Sequence, residues 1–579
     1  MDHPPRPTQP SALGRVNLRR ATLWMAIGTG ASRLTGVLRV FALLYALGFT
    51  KLADGYNLAN TTPNMLYDVV LGGVLAATFI PVFVEHLSTR DESDAWRSIS
   101  AVVTLATVIL VAASVLCWFA APSIISGLTV LAHTKTPVAH LTLIQERSVA
   151  TTLLRWFVPQ IALYGLISLA SALLNIKGRF VAPMWVPIVN NVVIIGVLIW
   201  FHHLTNFPDL TQVKLHPSWL ILLGLGTTLG VTLQTLALLP SLLNARLAGL
   251  KWRWNPTNEA VRKVLHLGAW TFGFVVANQV ALFIILALAV ATPGSAPVSS
   301  YTYAFSFFLM PYAVVAVSVM SAVTPDLAEK WSTDDHAAFK KRLAGGLRAV
   351  LAIIVPAAVA MLVLARPAVA ILGHGASNAQ DTAQTGAALS MMSIGLPGFC
   401  TFLYVVRVLQ AMQRTKIAFF LYLLENATNV VVAIALHPSL GIRGIALSMS
   451  IAYTVAAIAG ILVLRSWLGP LGTSRTWAPL RRVVLASIIM GIFIAVISNI
   501  SASDSGIGLV LRVGVSAILG VGLYVVISSI SARRSIRSHE RRPASRTPMH
   551  AAAGRLGSAR RGNSGPGRRS GPRSGHSGR

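Results

Sequence analysis

Long apolar runs separated by short polar links fill the chain from about residue 21 to residue 530. A helix needs about 20 apolar residues to cross a bilayer. We therefore predict about fourteen membrane-spanning helices, centred near residues 33, 70, 108, 162, 193, 230, 277, 312, 358, 397, 426, 452, 489 and 518. The runs are too long for barrel strands, so an all-α membrane protein follows.

Composition supports the same class. Hydrophobic residues make up 54% of the 579 residues, charged residues only 11%, and the mean hydropathy is +0.66. A soluble globular protein with this composition would have too few charged residues to cover its surface.

Basic residues fall in every second link between the predicted spans. One link holds Lys340, Lys341 and Arg342, whereas the links at 291–300 and 373–381 have no Lys or Arg. Positive links face the cytoplasm. We therefore predict a multi-pass protein of the cell (plasma) membrane with an even number of crossings and both termini in the cytoplasm.

A weak internal repeat indicates two related halves. Pro81 precedes Glu85 by four residues, Pro325 precedes Glu329 by four, and the two prolines are 244 residues apart. Duplicated halves are common in transporters, although matches this short also arise by chance. The repeat predicts two six-helix lobes around a central cavity, at 21–250 and 251–470, followed by two C-terminal helices at 471–530.

Both ends of the chain are basic. Residues 1–20 are predicted to be a basic cytoplasmic N-terminus, and residues 531–579 hold thirteen arginines and one glutamate, a net +12 of the chain's +30. We expect this Arg-rich tail to be disordered and to lie near anionic lipid headgroups. Nucleic-acid binding is not expected, because no aromatic residue alternates with the arginines.

Two arginines lie inside the first predicted span. Arg33 and Arg39 are six residues apart, which is 600° of rotation, so they share a face only if the helix bends at Gly36. Charge within a span indicates a functional site. The alternative is a buried ion pair with Asp54 or Asp68.

Polar residues follow one stripe of the second predicted span. Asn57, Asn60, Asn64 and Asp68 are spaced for a single helical face, which Pro63 interrupts. Guanidinium groups bind phosphate through paired, charge-assisted hydrogen bonds. Together with the arginines, this stripe predicts a central cavity for an anionic, phosphate-bearing ligand.

A second polar group lies in the eleventh span. Glu425, Asn426 and Asn429 offer a carboxylate and amide oxygens, which suit a hard cation such as Na⁺, and a carboxylate alone can carry a proton. Polar contacts between packed helices are the alternative.

Motifs of catalysis and nucleotide binding are missing from the sequence. We therefore expect a transporter and not an enzyme, without a cofactor or a firm metal site. Its energy would come from a coupling ion (Na⁺ or H⁺) or the membrane potential. The two cysteines, Cys117 and Cys400, fit packing roles in spans.

Several motifs resemble the MurJ (MviN-type) lipid II flippases. They include SRLTGVLR from Ser32, ADGYNLAN from Ala53, PNML from Pro63 and FIPVF from Phe79. NIKGRFVAPMWVPIVNN from Asn175 and later landmarks are shared in part with the wider superfamily of multidrug exporters and polysaccharide flippases.

The resemblance implies a fourteen-helix flippase that moves lipid II, the undecaprenyl-pyrophosphate-linked peptidoglycan precursor, to the outer leaflet by alternating access. Arg33 and Arg39 match arginines taken to hold the pyrophosphate, and Asp54 and Asn64 match polar positions. The partners implied are lipid II, membrane lipids and proteins of cell-wall synthesis.

The chain also departs from the family pattern. Tyr67 and Ser306 stand where some members have arginine. Two arginines would then act with donors such as Asn60 and Tyr67, next to Asp68, or the anion is bound differently in this branch. The alternatives in function are export of another polyprenyl-linked oligosaccharide or a drug, a membrane glycosyltransferase, and a scaffold for wall synthesis.

Overall fold

The computed structural model describes residues 12–72, 83, 91–132, 136–245, 249–372, 379–471, 474–500 and 506–540. Secondary structure in these residues is helical throughout. The helices of the first half are α1 (Ala12–Leu47), α2 (Lys51–Tyr67), π1 (Asp68–Gly72), α3 (Glu92–Leu128), α4 (Pro137–Phe157), α5 (Pro159–Ile176), α6 (Val181–Trp185), α7 (Pro187–Thr205), α8 (Leu210–Leu215), α9 (Pro217–Ala237) and α10 (Leu239–Asn244). Those of the second half are α11 (Glu259–Ala291), α12 (Pro297–Pro311), π2 (Tyr312–Ala316), α13 (Val317–Ser332), α14 (His336–Leu372), α15 (Ala379–Ala411), α16 (Thr415–Leu440), α17 (Ile442–Leu468), α18 (Ser474–Ile500) and α19 (Gly506–Glu540).

The predicted all-α membrane fold is confirmed. Thirteen helical spans of the described residues are long and apolar enough to cross a membrane, and each contains one of the predicted centres. The remaining centre, near residue 70, lies in π1 at the end of α2. The predicted span continues beyond π1, but residues 73–82 and 84–90 lie outside the described residues.

Prolines divide several spans into two helices. Pro159 and Pro187 each begin a new helix with a single residue between it and the end of the previous one, and Pro311 ends α12 where π2 begins. Proline lacks the amide hydrogen that continues the hydrogen-bond ladder, and its ring clashes with the preceding turn. The prolines therefore account for the division of these spans.

The two π-helical turns occur at matching positions in the two halves. Both π1 and π2 have five residues, and they begin at Asp68 and Tyr312, which are 244 residues apart. This is the spacing that separates Pro81 from Pro325 in the sequence. Single π-helical turns inside α-helices are rare and occur often at functional sites, so their agreement supports the duplication.

Packing is closest in the second half. Helix α15 packs along α14 and α17, and α17 packs along α16. A Cβ atom at Gly395 of α15 would clash with Ser450 Cα, so only glycine allows this approach of the two backbones. Helices α1 to α18 belong to one compact unit that ends at Ser528, and the predicted division into lobes at residues 250 and 470 stays a prediction.

Two helices of the structure extend past the segment boundaries predicted from the sequence. Helix α1 begins at Ala12, within the segment predicted as the N-terminal tail, and α19 continues to Glu540, beyond the predicted end of the last span at residue 530. Apolarity marks where a helix can lie in lipid, but arginine and alanine also favour helix in water. The predicted disorder of the tail from residue 541 falls outside the described residues.

Candidate functional site

Helix α1 presents the two predicted arginines in different directions. It runs unbroken through Gly36, so the rotation between Arg33 and Arg39 is that of a regular helix. The Asn191 side chain of α7 donates to Thr35 Oγ1 (3.0 Å) and to the Ser32 carbonyl (3.3 Å), which holds α1 against α7. Arg33 is exposed, whereas Arg39 is half-buried.

Arg39 lies near a group of aromatic and neutral polar side chains. Its charge acts on Tyr56 and Tyr164. The Tyr56 hydroxyl bonds to Thr227 Oγ1 (3.0 Å), and the Tyr164 hydroxyl donates to Gln160 Oε1 (3.3 Å). The buried Arg39 Nε atom has no hydrogen-bond partner.

Arg33 faces the second half of the chain. Its charge reaches Tyr312, the first residue of π2, which is half-buried. Within the described ranges, neither Arg33 nor Arg39 has an ion pair with an acidic residue. A cation at membrane depth is costly without a counter-charge, so both arginines favour an anionic ligand.

The acidic residues considered as partners of the arginines bond elsewhere. Asp54 is fully buried, and its Oδ1 accepts from the backbone amide of Ser299 (2.8 Å). Asp68 Oδ2 accepts from Gln279 Nε2 (3.3 Å). This conformation therefore does not contain the alternative, a buried ion pair between one of the arginines and Asp54 or Asp68.

Asp54 belongs instead to a polar cluster that joins the two halves. Lys51 Nζ lies 3.8 Å from Asp54 Oδ2 and 3.6 Å from Glu146 Oε2. Asn57 Nδ2 donates to Ser299 Oγ (3.0 Å). We call the end of the bundle with these contacts the Gly48 end, after the link at residues 48–50, and the opposite end the Arg414 end, after the link at 412–414.

The cavity between the halves opens toward the Arg414 end. Along the stripe on α2, Asn57 is buried, Asn60 is half-buried and Asn64 is exposed. On the facing side, Tyr303 is buried while Tyr312, more than two turns nearer the Arg414 end, is half-buried. The halves therefore touch at the Gly48 end and diverge toward the other.

The other predicted residues of the anion site lie along this opening. The Asn64 side chain donates to the Asn60 carbonyl (3.0 Å), and the Tyr67 hydroxyl bonds to Ser168 Oγ (2.6 Å). Tyr67 also packs against Tyr164, with ring centroids 5.9 Å apart. Tyr67 is therefore close to the surroundings of Arg39, and its role toward a ligand stays a prediction.

The predicted cation residues lie together inside the second half. Glu425, Asn426 and Asn429 are buried, and Ser448 of α17 donates to Asn429 Oδ1 (2.8 Å). The Glu425 charge acts on three tyrosine side chains from α12, α16 and α17, namely Tyr301, Tyr422 and Tyr453. One carboxylate with an amide oxygen is a donor set that suits Na⁺ or a proton, and no cluster of three metal-binding side chains occurs in the described residues.

Sequence analysis missed four residues of this region: Tyr164, Asn191, Tyr312 and Arg407. Tyrosine and asparagine in a span are common packing residues, so only their contacts distinguish them. Arg407 lies four residues before the end of α15, where a charged side chain usually reaches the membrane surface.

A helical membrane bundle of this kind, whose two halves are joined at one end and diverge toward the other, has the architecture of a membrane transporter. The chain belongs to the lipid II flippase MurJ family, whose family model matches residues 43–515. A probable lipid II flippase MurJ of Buchnera aphidicola is 27% identical over 443 residues, which cover 75% of this chain and 81% of the relative. One from Thermotoga maritima is 24% identical over 515 residues, which cover 88% and 96%.

Solved structures show the same fold. A lipid II flippase MurJ in an inward closed conformation has a TM-score of 0.71 and 22% identity, with 89% of this chain and all of that chain covered. An inward-facing multidrug resistance transporter of the MATE family, in the MOP superfamily, has a TM-score of 0.62 and 16% identity, covering 76% and 95%. The expected relation to the MurJ family is confirmed, and the fold is shared with a transporter of the MATE family.

Proposed function

We propose that this protein flips lipid II from the inner to the outer leaflet of the cell membrane by alternating access. The observation that carries the proposal is the pair of arginines in α1, which lack an acidic partner in the described structure. The pyrophosphate of lipid II would supply the missing negative charge. The substrate crosses chemically unchanged, so the protein acts as a transporter and not as an enzyme.

The charge of the links sets the orientation we propose. The Arg414 end carries the Lys- and Arg-rich links, including Arg342 and Lys416, and the positive-inside rule places it in the cytoplasm with both termini. The Gly48 end then faces outward. In this orientation the described conformation is open to the cytoplasm, where lipid II is made available to the cavity.

Depletion of the protein in a growing cell tests the function. We expect lipid II to accumulate in the inner leaflet while the outer leaflet loses it, because translocation stops before polymerisation. Normal delivery of lipid II to the outer leaflet, with polymer missing, would contradict flipping and favour a polymerising enzyme.

The group around Glu425 is the proposed site of energy coupling. Its carboxylate has no hydrogen bond or ion pair among the described residues and lies among tyrosine rings and Asn429. An uncompensated buried carboxylate is costly, so a bound Na⁺ or proton would stabilise it. Release of that cation to one side of the membrane would then favour one conformation over the other.

Glu425→Gln removes the charge and keeps the shape. We expect flipping in vesicles to become insensitive to imposed Na⁺ and H⁺ gradients, because the variant cannot gain or lose the coupling cation. Asn429→Ala is a companion variant that should weaken a Na⁺ response more than an H⁺ response. A Glu425→Gln protein that responds to a gradient as the wild type does would assign these residues to helix packing.

A further inference from the structure

Arg407 is an exposed arginine on the most enclosed of the spans that the structure describes. The most apolar window of α15 is 67% buried, the largest share among the thirteen spans of the described residues. Its neighbours Val406 and Val408 are buried, yet Arg407 is exposed. An exposed charge on a helix surrounded by protein faces an internal space and not lipid.

The side of α15 that carries Arg407 faces π2. The Phe399 ring, two turns earlier on that side, packs edge-on against the Tyr312 ring with centroids 5.0 Å apart. The charges of both Arg407 and Arg33 reach Tyr312. An arginine from the first helix and an arginine from α15 therefore both lie near one tyrosine of π2, and both side chains are exposed.

Arg407 also has no acidic partner. No ion pair or hydrogen bond to its guanidinium occurs in the part of the chain that the structure describes. Glu425, the buried carboxylate of α16, forms no ion pair with it. Arg407 thus has the same need for an anion as Arg33 and Arg39.

We propose that Arg407 binds the same pyrophosphate as Arg33, so that the anion is held between α1 and α15 next to the Tyr312 hydroxyl. The assignment rests on the proposed function. It explains how the chain binds an anion with Tyr67 and Ser306 at positions where relatives have arginine. A third guanidinium from another helix replaces part of the missing charge.

This arrangement links the substrate to closure of the cavity. Without an anion, the two like charges near Tyr312 repel, which favours the open state. A bound pyrophosphate is negative and attracts both arginines, so it draws α1 and α15 together. Closing at the Arg414 end would therefore depend on substrate, and empty protein would change state slowly.

The test is lipid binding to the purified full-length protein, with undecaprenyl pyrophosphate and undecaprenyl monophosphate as probes. We expect Arg407→Ala to bind the pyrophosphate lipid about 10- to 100-fold more weakly, the range for loss of a charge-assisted hydrogen bond. Binding of the monophosphate should fall less. Arg407→Lys should restore part of the affinity, because it keeps the charge without the paired geometry.

Arg443→Ala is the matched control, since Arg443 is an exposed arginine of the same half at the Gly48 end. It should bind both lipids as the wild type does. A double-mutant cycle with Arg33→Ala should be non-additive if both arginines hold one anion. Arg407→Gln, similar in length and uncharged, replaces Arg407→Ala if the alanine variant does not fold.

The outcomes separate the two proposals. Unchanged pyrophosphate binding in folded Arg407→Ala and Arg407→Gln would overturn the role of Arg407 while the function stands. A wild-type protein that does not prefer pyrophosphate over monophosphate would contradict the proposed function itself.

Discussion

Replacing Arg39 with alanine should abolish growth when the variant is the only copy in the cell. Arg39 is half-buried, and its Nε atom lies buried without a hydrogen-bond partner. Its surroundings are neutral: Tyr56 and Tyr164 bond to Thr227 and Gln160. The side chain is therefore costly for the empty protein and should be retained for its contact with the anion. The measurement is complementation of a depletion strain, with membrane levels of the variant determined in parallel.

Arg39→Lys separates charge from geometry. Lysine keeps the positive charge but cannot donate two parallel hydrogen bonds to phosphate oxygens, so we expect it to fail as well. Arg443→Ala should support normal growth, which controls for the loss of an arginine elsewhere. Growth of a well-expressed Arg39→Ala strain at the wild-type rate would remove Arg39 from the site.

Cross-linking the two halves at the Gly48 end should stop flipping completely. Asn57 of α2 and Ser299 of α12 are joined side chain to side chain at 3.0 Å. We expect the double variant Asn57→Cys and Ser299→Cys, joined by a short bifunctional thiol reagent, to be fixed in the described state. Alternating access requires these helices to separate, so transport into the outer leaflet should be lost. A cleavable reagent should allow recovery after reduction.

The cross-link needs two controls. Cys117 and Cys400 are both buried and should be replaced by alanine beforehand. The pair Gln145→Cys and Thr211→Cys lies at the same end but within the first half, where the wild-type side chains are 3.5 Å apart. Its cross-link should leave flipping intact. Full activity of the cross-linked Asn57 and Ser299 pair would show that the halves do not separate there.

Features that depend on residue type and spacing could be predicted from the sequence. Thirteen span centres and the different directions of Arg33 and Arg39 follow from apolar length and helical rotation, and the structure confirms them. The family was also predicted correctly, because its motifs lie in contiguous segments such as Ser32–Arg39.

The hydrogen-bond and ion-pair partners of the polar side chains could not be predicted, because they are set by contacts between distant segments. Asp54 accepts a hydrogen bond from Ser299, 245 residues away, which no local sequence pattern indicates, and its place near the anion stays a prediction. Arg407 was overlooked since its position near a helix end is typical of a side chain that reaches the membrane surface. Its exposure becomes informative only when α15 is seen to be enclosed by other helices.

The two π-helical turns, 244 residues apart, also bear on ancestry. If the halves descend from one gene, the π-helical turn was already present in an ancestor with six spans. Two copies of that ancestor would have formed a symmetrical dimer. At the same spacing, Arg33 corresponds to Ala277 and Arg39 to Phe283. The shape of the cavity would then be older than its charge, and the first half would have become specialised for the anion after the copies were joined.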